Sequence, residues 1–74
     1  MAYLRNDKYL KSFGKNLKKL REDRKISQAD LAFECDMEIS QISRIERGLI
    51  NTSISNAYYI AKALSVNVKD LFDF

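Results

Sequence analysis

Apolar residues recur along this chain at helical rather than strand spacing, in successive blocks. The first block is Tyr9 or Leu10, Phe13, Leu17 and Leu20, with Arg21 next to the stripe and Lys11, Lys15, Lys18, Lys19 and Glu22 on the other side. It predicts a long first helix with Asp7 as N-cap, reaching about Arg24. Gly14 inside that helix costs about 1 kcal/mol relative to alanine, so a close helix crossing is expected there. A second, shorter stripe is Leu31, Ala32 and Cys35, opened by Ser27 with Asp30 three residues later, a capping-box-like start. A third pattern runs from about Glu38 to Arg47 and stops at Gly48, the residue best suited to a left-handed helix end. Ser53 caps the next helix, with the stripe Ile54, Ala57, Tyr58, Ala61 and Leu64 and with Ile60 alongside. Asn67 with Asp70 starts a short last helix containing Leu71 and Phe72.

The stretch from Ser27 to Gly48 organises the rest. Its two short helices flank a tight break at Cys35–Asp36–Met37. At about 100° per residue, Ile42, Ile45 and Glu46 of the second helix point one way, while Ser40, Ser43, Arg44 and Arg47 point the other. Short polar side chains and two guanidiniums suit close approach to something flat and anionic. One anchored helix and one presenting Arg and Ser form a helix-turn-helix.

The run from Phe13 to Phe72 resembles the phage-repressor and Cro-like helix-turn-helix regulators, the xenobiotic-response-element class. The matching pieces are FG-x-x-L-x-x-L-R from Phe13 to Arg21, I-S-Q-x-x-L-A from Ile26 to Ala32, I-S-R-I-E-R-G from Ile42 to Gly48 and I-A-K-A-L-x-V from Ile60 to Val66. The resemblance implies an all-α, five-helix, lambda-repressor-like domain over residues 8–74, preceded by an extension at 1–7, that binds operator DNA as a homodimer. It implies base reading by Ile39, Ser40, Ser43 and Arg44, and phosphate contacts from Gln28, Arg47, Asn51 and the basic first helix. It also pairs Arg21 with Glu46, in agreement with the helical phases that turn both inward.

Departures from the pattern are equally specific. Asp36 stands where glycine is common, and Glu38 where a serine or threonine commonly caps the recognition helix, although Gln41 keeps the N3 half of a capping box. Relatives often carry basic residues at 49 and 50 and proline at 52. The residues here are Leu49, Ile50 and Thr52, which weakens the phosphate grip expected of that loop. Base preference therefore does not carry over.

Composition narrows the reading further. With 74 residues, 46% of them hydrophobic, and no proline, one small helical domain is expected. Residues 1–25 hold nine Lys/Arg against three Asp/Glu, whereas residues 26–74 hold four against seven. A basic half suits polyanion contact, though a basic helix is more often a solvated face. The single Cys35 reads as a small core residue rather than a redox sensor; with no histidine, no metal site is expected. No apolar run is long enough for a membrane span, so a cytoplasmic, nucleoid-associated protein is expected. No catalytic constellation, cofactor loop or ligand-sensing domain is read either. Met1–Asn6 shows no periodicity, leaving a frayed end, a segment packed back and an arm towards DNA as the options. Tyr59, Val68, Phe74 and Ile50 stand out as a candidate dimer patch, against ordinary surface scatter. The alternative function is an antitoxin-like protein that neutralises a partner toxin and regulates itself through DNA; a pure protein-interaction module ranks third.

Overall fold

The structure is a computed structural model describing residues 4–74. Among the described residues, four α-helices run α1 (Asp7–Asp23), α2 (Gln28–Cys35), α3 (Ile39–Glu46) and α4 (Ile54–Ala63), followed by a 3-10 helix at Val68–Phe72. The expected fifth helix is thus a single tight turn. Its five residues leave little room for an i→i+4 ladder. A reciprocal capping box holds it, in which Asn67 caps the Asp70 N–H and Asp70 accepts from the Asn67 backbone.

The core is Phe13 and Leu17 of α1, Leu31 and Ala32 of α2, Ile42 and Ile45 of α3, Ala57, Ile60 and Ala61 of α4, then Leu64 and Leu71. α3 lies between α1 and α2, and α4 packs across α2 and the 3-10 helix. Asn16, which carried no signal in the sequence, ties the end of the chain to α1. Its Nδ2 donates to the carbonyls of Asp70 (2.8 Å) and Leu71 (2.9 Å). Beside it the rings of Phe13 and Phe72 meet at 5.0 Å.

Two expectations change, and the departure noted at Glu38 shows its consequence. The N-cap of α1 is Asn6, whose Oδ1 accepts from the Tyr9 N–H at 2.9 Å, and Asp7 becomes the first helical residue. The buried stripe of α4 is Ala57, Ile60, Ala61 and Leu64, while Ile54 is 89% exposed and Tyr58 half-exposed. Ile54 belongs to the first turn and faces an open depression beside Tyr9, Phe13 and Phe72, and the core takes the 57–60–61–64 rows instead. Glu38 is the N-cap of α3 but its side chain caps nothing; only its carbonyl accepts, from Gln41 and Ile42.

All four α-helices end in the same way. Lys25, Asp36, Gly48 and Ser65 take positive φ, of 56°, 55°, 72° and 58°. At each end the left-handed residue donates to a carbonyl three back, and the next residue donates to one five back: Ile26 to Arg21, Met37 to Ala32, Leu49 to Arg44, Val66 to Ala61. Each of those next residues is apolar, and Ile26, Met37 and Val66 pack against the core. Hydrophobic anchoring stabilises a strained residue that glycine would occupy without cost.

Candidate nucleic-acid interface

The site begins with a buried charge pair. Arg21 and Glu46 are 8% and 7% exposed among core residues. Arg21 Nε donates to Glu46 Oε2 at 2.6 Å, Nη2 to Oε1 at 3.0 Å, and Nη1 to the Ile26 carbonyl at 2.8 Å. The hydrogen bonds to Glu46 hold the guanidinium above its ordinary pKa, against the desolvation that opposes it. Among the described residues, no buried side-chain nitrogen or oxygen lacks a partner. The pair fixes the inward face of α3 on α1, and therefore its outward face as well.

Gly14 sets the distance of that crossing. A Cβ there would overlap the Glu46 carbonyl oxygen and lie 2.5 Å from that of Ile45. Glycine lets α1 sit on the last turn of α3 backbone to backbone. The crossing expected from Gly14 is therefore present, and its partner is the recognition helix itself.

The outward face is as follows. Ser40, Arg44 and Arg47 are exposed, Ser43 is half-buried, and Ile39 is 52% exposed on the flank. Arg47 follows the last helical residue and folds back, its Nε donating to the Ser43 carbonyl at 3.3 Å. Asn51 is exposed in the loop that leaves the turn at Gly48. Gln28 stands apart from the other predicted phosphate residues. It opens α2 beside its N-cap Ser27, whose Oγ accepts from the Asp30 N–H. Yet its Nε2 also donates to Glu46 Oε1 at 3.0 Å. Sequence reasoning missed this bond because it joins the two helices of the motif across the buried pair, a relation that no single-helix periodicity encodes.

Cys35 is half-buried, its thiol against the Tyr59 carbonyl at 3.7 Å. Burial, with Glu34 nearby, raises its pKa, the direction of an unreactive thiol. Among the described residues, no group of three or more His, Cys, Asp or Glu side chains is placed to hold a metal ion. No helix among them is long and apolar enough to cross a membrane.

Two short helices, the second locked on α1 by a buried ion pair and presenting serines and arginines, define the helix-turn-helix class. Residues 17–71 match the helix-turn-helix family. The chain belongs to that family. It is similar to the control protein C.BamHI of Bacillus amyloliquefaciens, with 48% identity over 63 residues covering 84% of this chain and 78% of that one. Its fold is similar to the restriction–modification controller protein C.AhdI of Aeromonas hydrophila, at TM-score 0.84 and 36% identity over 85% of this chain and 96% of that one. It is also similar to SinR, the master regulator for biofilm formation, solved in complex with DNA, at TM-score 0.77 and 32% identity over 82% and 98% of the two chains.

Proposed function

We propose that this helix-turn-helix protein is a sequence-specific, DNA-binding transcription regulator of the controller type, acting on an operator as a homodimer. The observation that carries the reading is the exposed row Ser40 and Arg44, followed by Arg47 at its end, on a helix whose opposite face is locked by the Arg21–Glu46 pair. A rigid helix presenting a guanidinium and hydroxyls suits the major groove. Arg44 takes guanine O6 and N7, Ile39 meets a thymine methyl, and Ser40 and Ser43 complete the base-edge contacts. Gln28, Arg47 and Asn51 take phosphates. Gln28 Nε2 has a second N–H beyond the one given to Glu46, so phosphate contact and the bond to Glu46 are compatible. Residues 8–74 act as the DNA-binding unit and 1–7 as an extension of it. Such a protein works at the nucleoid, in the cytoplasm, without catalysis or cofactor.

For the dimer, the support is an apolar face on α4 and the 3-10 helix. A depression of about 180 Å³ is lined there by Tyr9, Phe13, Ile54, Ala57 and Phe72. Ile54 forms its exposed rim, with Tyr58 one turn on. Of the residues singled out in the sequence, Phe74 meets Tyr9 of this depression at 5.0 Å and Tyr59 meets Tyr58 at 5.1 Å, whereas Val68 and Ile50 are half-buried.

Selection of genomic fragments by the purified protein tests the reading. Enriched fragments should share two related half-sites about one helical turn apart. Recovery of no common sequence, with binding that ignores base composition, contradicts it.

A further inference from the structure

The loop after the recognition helix, residues 48–53, contains no charged residue. Nevertheless a cation sits on it. Arg5 Nη2 donates to the Leu49 carbonyl at 2.6 Å, while Arg5 Nε pairs with Asp7 at 2.5 Å. Two fixed hydrogen bonds hold the guanidinium in place, with its side chain still 34% exposed. Arg5 and Asn51 line the same surface depression. The next contact of α1 with this region is Lys11, whose backbone lies against Gly48; a Cβ on Gly48 would stand 2.7 Å from Lys11 Cα. Arg47, which directly precedes Gly48, thus shares this turn with Lys11 on Gly48 and Arg5 on Leu49.

We propose that Arg5 is a DNA-phosphate contact, an arginine from the N-terminal segment docked on Leu49 that supplies the charge its loop lacks. The inference rests on the DNA-binding reading above and extends it to a residue outside the helix-turn-helix. A guanidinium matches a phosphate bidentately, and one already held in place loses less rotamer freedom on binding. Asp7 both positions Arg5 and partly neutralises it, so its charge opposes DNA while its hydrogen bond does not.

The test is the dependence of binding on salt, measured with a random-sequence duplex and with a selected operator for the wild type, Arg5→Gln, Arg5→Lys and Asp7→Asn. Arg5→Gln should weaken binding by the same factor on both duplexes and lower the slope of log K against log salt by about one. Arg5→Lys should keep the slope, and Asp7→Asn should bind more tightly than wild type. Thermal melts of each variant show that it is folded. An Arg5→Gln slope equal to wild type would mean that Arg5 only staples the loop, and so would an Asp7→Asn variant with no gain. A wild type without salt-dependent DNA binding would remove the functional reading itself; a wild type that binds with Arg5 silent removes this inference alone.

Discussion

Gln28 Nε2 and Arg21 Nη2 converge on one oxygen, Oε1 of Glu46, each at 3.0 Å. One carboxylate at the end of α3 therefore joins the opening of α2 to the last turn of α1. Glu46→Ala leaves the Arg21 charge buried without its partner, which costs roughly 3–5 kcal/mol. Replacing both partners, Arg21→Met with Glu46→Leu, should recover most of that, because two desolvated charges are replaced by apolar volume. Gln28 is only half-buried and can turn to water in the double variant. Denaturant melts check both; a single variant within about 0.5 kcal/mol of wild type, the scale of an ordinary surface change, would contradict the assignment.

Gly14→Ala sets two effects against each other. Helix propensity alone favours alanine by about 1 kcal/mol. The crossing opposes it, because the new methyl meets backbone carbonyls of Ile45 and Glu46 that cannot rotate away. Overpacking of this kind costs typically about 1–3 kcal/mol, so the variant should melt lower than wild type. A higher melting temperature would mean that α1 and α3 sit further apart.

Asp36→Gly should stabilise, by up to about 1 kcal/mol, since Asp36 holds φ 55° and ψ 44° at the end of α2. Lys25 and Ser65, at φ 56° and 58°, should respond in the same direction when changed to glycine. Chemical melts of the three variants provide the check, and loss of stability in all of them would show that the apolar anchors, not relief of strain, govern these ends.

These helix ends show where the sequence stops being readable. Gly48 announces its end, and Asp36 shows as a departure from a family glycine. Lys25 and Ser65 give no sign, because here the left-handed turn is held by Ile26 and Val66, which pack against the core after them. The interior of the fold was legible because Phe13, Leu17, Ile42 and Ile45 keep a strict helical period, and Arg21 and Glu46 fall on it. The α4 stripe was not, since Ile54 and Tyr58 share that period with Ala57 and Ala61; only the position of α2 and the 3-10 helix decides which row is covered. In the site, the outward row of α3 followed from the phase of its buried residues. The bonds of Gln28 to Glu46 and of Arg5 to Leu49 join residues 18 and 44 positions apart. Neither had a local signal.

We propose that α3 reads bases through Arg44 while Gln28 and Arg47 hold the DNA backbone. Binding of Arg44→Ala, Gln28→Ala and Arg47→Ala to a set of single-base operator variants tests it most directly. Arg44→Ala should lose roughly 1–3 kcal/mol on the preferred operator and become indifferent to one base pair in each half-site. Gln28→Ala should weaken every duplex by a similar factor with little change in salt slope, because the side chain is uncharged. Arg47→Ala should do so with the slope lowered by about one. If Arg44→Ala instead weakens all operator variants equally and keeps the wild-type base preferences, Arg44 is a phosphate clamp and the specificity assigned to it is wrong.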